Sequence, residues 1–349
     1  MTKSTQVQNE IESQPDAWQG ILLQYLRKQL LYNKQITKVA SGEMVFTGCG
    51  TTYALALSAA NLFSHFGFSA RAYPASEVKF YPENTLPAGS ALFALSRSGE
   101  TSETLWAVES YRKKNPAGIV FTLTTQPAST LANRSDIVFD LSLLKEESIA
   151  ETRSFTGMLY FLQLLRAGAQ KDKNSITDLS TLPGHLARLM EVFSDWGHRV
   201  LAEKSIDYFV FLGEGMAYGL ACESMFKMHE LTTCWSQAFH PLEFRHGPQA
   251  VVGPSTLVVG FLSDRLQKHE LKQLEELGFL GAKTVAVIDH ISGEIPGHID
   301  QLFELQTDLD EWHRGGLYLP FVHWLGLEKA SLLGINPDQP KNLKAFTCL

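Results

Sequence analysis

The 349-residue chain has little cysteine, no long apolar run and no excess of positive charge. Its four cysteines, Cys49, Cys222, Cys234 and Cys348, are scattered without C-x-x-C spacing, which argues against a disulfide framework and against a zinc site. No stretch approaches the roughly 18 consecutive apolar residues of a membrane span. The opening residues, MTKSTQVQNEIESQPDAW, lack the apolar core of a secretion signal. A formal net charge of -7 offers no general attraction to nucleic acid or anionic membranes. An anionic ligand would therefore need a dedicated site. These absences predict a cytoplasmic protein that binds no metal, membrane or nucleic acid.

What is present is globular material: 44% hydrophobic and 19% charged residues, enough for two domains. Short apolar runs alternate with helical patterns at residues 43–48, 68–75, 90–96, 118–125 and 136–142. A second set follows at 207–213, 232–239, 255–263, 283–290 and 301–306. Such alternation predicts α/β architecture, with two five-stranded parallel sheets flanked by helices. VFTGCGTTYALAL from Val45 and VFLGEGMAYGLAC from Val210 are similar at an offset of 165 residues, the mark of a duplicated unit. Helical patterns at MLYFLQLLRAGA and LPGHLARLMEVFSDW flank the polar stretch QKDKNSITDLST, where a linker is expected. The residues after Gly334 carry two prolines and read as an extended tail.

The run ALFAL ends in SRSGETSET, residues 96–104. A ligand in a doubly wound sheet sits beyond the strands' carboxyl ends, where helix N-termini offer backbone N–H groups. Ser96, Ser98 and Thr101 supply hydroxyl donors there, and Gly99 permits a tight turn of the kind that cradles anions. A plain helix cap, for which one Ser or Thr suffices, fits the same stretch. GCGTTY at residues 48–53 forms a second glycine-bearing turn, weak evidence alone but placed in a neighbouring unit.

FTGCGTTY, ALSRSGETSET, ESIAETRSFT (147–156), ESMFKMHE (223–230), EFRHGP (243–248) and PKNLKAFT (340–347) together resemble the double sugar isomerase (SIS) domain proteins. That group includes the isomerase half of glucosamine-6-phosphate synthase, amino-sugar-phosphate deaminases and tagatose-6-phosphate isomerase-like proteins. The resemblance implies two flavodoxin-like SIS domains at residues 25–170 and 195–334. A helical segment at 1–24 precedes them, and a tail at 335–349 completes the site. It places a sugar phosphate on Ser96, Ser98 and Thr101, with the Arg97 backbone, Thr51 and Ile149 nearby. The second domain continues from its third strand into SDRLQK, so one phosphate site per chain is expected.

Aldose–ketose isomerisation needs a base for the C2 proton, and the resemblance assigns that role to Glu230. Glu223 and Lys227, four residues apart, suit an ion pair on one helix face, from which Lys227 could steer Glu230 or contact the substrate. His246 matches the histidine that assists ring opening and that, in relatives, reaches the site of a partner subunit; a homodimer is implied. Lys344 would hold the open-chain carbonyl oxygen or form a transient Schiff base, although the segment preceding it is one residue shorter than in the synthase. Glu151 replaces a small serine of the synthase-like pattern. It would bind an ammonium or hydroxyl at C2 or, equally, serve only the surface.

No glutaminase module is seen before the first strand and no cysteine follows Met1, which disfavours amino-sugar synthesis. The resemblance therefore points to an isomerase that releases ammonia from an amino-sugar 6-phosphate and needs no cofactor. Its alternatives are a simple ketose–aldose phosphate isomerase, a fructosamine-phosphate deglycase, and a sugar-phosphate sensor without catalysis, since fold alone does not fix function.

Overall fold

The computed structural model describes residues 5–201 and 206–344. All ten apolar runs form strands. β1 (Glu43–Gly48), β2 (Ser69–Pro74), β3 (Ala91–Leu95), β4 (Val120–Thr124) and β5 (Ile137–Asp140) make one sheet in the order β2-β1-β3-β4-β5. β6 (Tyr208–Gly213), β7 (Trp235–Phe239), β8 (Thr256–Phe261), β9 (Lys283–Ile288) and β10 (Gln301–Glu304) repeat that order as β10-β9-β8-β6-β7. Every pairing is parallel. Central strands such as β3, β4, β8 and β9 are buried at every residue, as parallel strands covered by helices on both faces must be.

The chain divides into two compact units. The first is Ser13–Pro183; the second is Gly184–Leu343 together with the helix Gln6–Glu12, and Lys344 groups with the first. In the first unit, Phe46, Phe93, Phe121 and Phe139 form a ladder across β1, β3, β4 and β5, with ring centroids 4.7, 4.5 and 5.9 Å apart. Burying each such ring contributes about 1.5–3 kcal/mol. The second unit packs Val210, Val258 and Ile288 of its strands against Leu271, Leu274 and Leu277 of the helix Gln267–Phe279.

The duplication seen in sequence extends to backbone detail. A Cβ at Gly48 would lie 2.6 Å from Thr52, and one at Gly213 would lie 2.3 Å from Ala217, so each first strand must end in glycine for its helix to approach. Gly50 and Gly215 then precede their helices with nearly the same backbone angles, φ +53° and +57°.

Two local expectations change. The polar stretch 170–181 is helical in all but its first three residues, within the helix Lys173–Leu201, which carries Pro183 inside it. The helix Gln14–Ile36 also runs through the boundary drawn at residue 24. Residues 335–344 form turns without helix or strand. Among the described residues no helix is long and apolar enough to cross a membrane.

Candidate functional site

In the first unit the two glycine turns leave the carboxyl ends of β1 and β3, the neighbouring strands between which the winding reverses and where such sheets hold ligands. Gly99 sits at φ +67°, and a Cβ there would fall 2.0 Å from Ser129 Oγ, so no other residue fits. Its N–H donates to Ser96 Oγ at 3.0 Å, and the Glu100 N–H donates to Ser98 Oγ at 3.2 Å. A hydroxyl that accepts in this way keeps its own proton to donate outward. Thr101 is the N-cap of the helix Ser102–Lys114 and makes no side-chain cap bond. The loop is pinned from behind, because Thr124 Oγ1 and Thr125 Oγ1 each donate to the Arg97 carbonyl at 3.0 Å. The Glu100 carboxylate accepts from the Thr130 N–H at 2.8 Å. Thr51, also buried, opens the helix Thr51–His65 beside this loop's strand.

The Arg97 guanidinium turns toward residues 146–151. It donates to the carbonyls of Ser148 and Ile149 at 3.1 and 3.0 Å and lies 3.7 Å from Glu146 and 3.6 Å from Glu151. Its charge is thus matched by two carboxylates, and Ile149 takes part through its carbonyl. Glu146, which the sequence reading passed over, anchors this segment. Its carboxylate accepts from the N–H groups of Thr152 (2.9 Å) and Arg153 (2.6 Å) and from Thr152 Oγ1 (2.9 Å) and Ser154 Oγ. A carboxylate there offsets the positive end of the helix Arg153–Ala169. A cavity of about 500 Å³ lies alongside, lined by Arg97, Ser98, Glu100, Ser129 and Glu146 among others; Ser96, Thr101 and Thr51 fall outside it.

In the second unit, the helix Met216–Thr232 presents Glu223, Lys227 and Glu230 on one face. Lys227 has no solvent exposure; its ammonium lies 3.4 Å from the equally buried Glu223 and donates to Glu230, whose side chain is 23% exposed. Behind them His323, on the helix Tyr318–Leu333, is fully buried, and its pKa is pushed down to about 3 by burial and by the charge of Lys227. It is neutral at any physiological pH. No signal in YLPFVHWLGL distinguishes this histidine from a packing residue. His229 accepts from the Ser236 N–H at 3.1 Å, and burial lowers its pKa.

His246 is exposed, following the one-turn helix Pro241–Phe244. Gly247, at φ +117°, turns the chain sharply after it, and Pro248 opens the next turn. Lys344 is exposed and is the last described residue; Thr347 lies outside the described residues. Thr51, Ser96, Arg97, Ser98, Thr101, Ile149, Glu151 and Lys344 therefore belong to the first unit, and Lys227, Glu230 and His246 to the second.

Residues 39–167, which contain this doubly wound sheet and its hydroxyl-rich turn, match the SIS domain. The chain is related to phosphosugar isomerase-type proteins. It is 26% identical over 364 aligned positions to the glutamine–fructose-6-phosphate aminotransferase (isomerizing) of Francisella tularensis, covering 96% of this chain and 57% of that protein. It therefore spans well under two thirds of that relative's length. Among solved structures, it is similar to a glucosamine-6-phosphate deaminase from Thermotoga maritima, with 28% identity, a TM-score of 0.80, and 99% and 100% of the two chains covered. It shares its fold with the tagatose-6-phosphate ketose/aldose isomerase of Escherichia coli, with 24% identity, a TM-score of 0.86, and 97% and 96% covered.

Proposed function

We propose that this protein is a phosphosugar aldose–ketose isomerase that acts on an amino-sugar 6-phosphate and releases ammonia, and that its second unit is a second copy of the SIS domain. The observation that carries the reading is the buried Lys227 between Glu223 and Glu230. Burying an ammonium between carboxylates seldom improves on apolar packing for stability alone. Here it ends in one partly exposed carboxylate held in place by the ammonium. The likeness to the Thermotoga maritima deaminase supports the choice of an amino sugar.

In this reading the phosphate rests on the hydroxyls of Ser96, Ser98 and Thr101, far from the reacting carbons. His246, from a partner subunit, moves the ring-opening proton, Lys344 holds the carbonyl oxygen, and Lys227 steers Glu230. Glu230 takes the proton from C2; the C–H electrons form the C1–C2 double bond while the carbonyl π pair passes to O1, which takes up a proton from solvent to give an enaminol. Reprotonation at C1 leaves an iminium at C2, water adds there, and ammonia departs to give a ketose phosphate. Glu151 recognises the C2 substituent.

Ammonia release, measured across glucosamine, galactosamine and mannosamine 6-phosphates, tests the reaction. Release from at least one supports it. Interconversion of neutral ketose and aldose phosphates with every hexosamine phosphate untouched replaces it with the plain isomerase. Phosphosugar binding without C2 proton exchange replaces it with a sensor. The shared dimer site is tested by mixing inactive Glu230→Gln and His246→Ala chains, which should restore activity in hybrid dimers; confirmed exchange without recovery places His246 outside a shared site.

A further inference from the structure

The second unit repeats the sheet order of the first, so it also has a switch point, between β6 and β8. A cavity of about 280 Å³ opens there, at the small end of ligand pockets, which run from roughly 300 Å³. Gly215, Met216 and Ala217 after β6 and Leu262, Ser263, Arg265 and Leu266 after β8 form its base. Trp312 and Tyr318 form a wall, with Trp312 ring carbon Cη2 3.1 Å from where a Cβ on Gly215 would lie. Asp310 fixes that wall, since its carboxylate accepts from the N–H groups of Trp312 (2.9 Å) and His313 (3.0 Å).

The chemistry differs from that of the first unit in a definite direction. At the position 165 residues beyond Gly99 stands Asp264, whose carboxylate pairs with the buried Arg314 instead of leaving a tight glycine turn. No hydroxyl cluster follows β8, so the groups that would cradle a phosphate are missing. The charged lining consists of Glu214, Glu311 and one arginine, Arg265, and the rest is largely apolar. Glu311 is held by the Asp264 N–H at 2.7 Å, and burial raises its pKa. Behind the floor, the buried Glu270 accepts from the Ser263 N–H at 2.8 Å and from Ser263 Oγ at 3.1 Å.

We propose that this cavity is a second ligand site, which takes a small organic ammonium ion with an apolar body. The apolar body lies against Met216, Leu262 and the Trp312 ring, whose face also attracts a cation. The ammonium is met by the carboxylates of Glu311 and Glu214. An ammonium beside Glu311 offsets the cost of keeping that carboxylate charged in a half-buried place. The inference stands independently of the reaction assigned to the first site.

Three cyclohexyl probes, cyclohexylammonium, cyclohexanol and cyclohexanecarboxylate, test it by isothermal titration calorimetry on the full chain. Cyclohexylammonium should bind saturably, with a Kd on the order of 1 mM for so small a molecule. It should bind at least about 10-fold more tightly than either companion, a margin of about 1.4 kcal/mol. Glu311→Gln should abolish that preference, and Trp312→Ala should weaken all binding. The wild-type comparison stands even if a variant fails to fold. Saturation by none of the probes up to about 20 mM, tighter binding of the carboxylate or the alcohol, or binding indifferent to Glu311→Gln overturns the proposal.

Discussion

Lys227 donates a hydrogen bond to Glu230, three residues along the same helix, from a position closed to solvent. The pairing fixes a carboxylate at the edge of a buried charge group, and it separates two roles that substitution can resolve. Lys227→Met leaves Glu223 buried without its cation and should cost about 3–5 kcal/mol of stability. The double change Lys227→Met with Glu223→Leu removes both buried charges and should recover most of that loss. It should nonetheless remain at least about 10-fold slower than wild type, because Glu230 has lost its anchor. Calorimetry and steady-state kinetics on the two variants check both halves; a double variant with wild-type kcat makes the lysine purely structural.

In the proposed reading the loop of Ser96, Ser98 and Thr101 holds a group remote from the chemistry. Ser98→Ala should therefore raise KM for a phosphorylated substrate by about 10-fold and change kcat little. Gly99→Ala should do more, since its Cβ would collide with Ser129 Oγ. The measurement is KM together with the thermal shift induced by inorganic phosphate; an unchanged KM and an unchanged shift in Ser98→Ala remove the loop from the site.

Much of this was legible in the sequence because parallel strands buried on both faces are continuous apolar runs, and all ten stood out as such. The hydroxyl turn and the glycines at positions 48, 50, 213 and 215 were readable for the same reason: a local backbone need dictates a local residue. What escaped depends on distant partners. The Arg97 side chain bonds the carbonyls of Ser148 and Ile149, some fifty residues away in sequence, and no spacing rule announces that. Glu146 is one of two adjacent glutamates in KEES, and His323 stands in an apolar helical stretch; neither pattern marks a partner. Within residues 170–181, polar composition suggested a linker, yet the helix Lys173–Leu201 runs through it and tolerates Pro183, because packing of its apolar face outweighs local propensity.

His323 also makes the second unit sensitive to acid. Its folded pKa of about 3 lies below the ordinary value of 6.5, chiefly through burial. Between these values the unfolded chain binds a proton that the folded chain refuses, so stability falls as pH drops from about 6.5 toward 3. The loss approaches 1.4 kcal/mol per pH unit. His323→Leu should flatten this acid slope by about one proton, measured as the pH dependence of the unfolding transition between pH 7 and 4.5. An identical slope in the variant means that His323 is not excluded from protonation.

In the proposed reaction Glu230 is the base that moves the C2 proton. The direct measurement follows glucosamine 6-phosphate, or whichever hexosamine phosphate proves active, in deuterated water with wild-type protein and Glu230→Gln. Wild type should release ammonia and yield a ketose phosphate carrying solvent deuterium at C1. Glu230→Gln should bind substrate with nearly unchanged affinity while both ammonia release and deuterium incorporation fall together by roughly 100-fold or more. A Glu230→Gln protein that keeps either rate within about threefold of wild type contradicts the assignment.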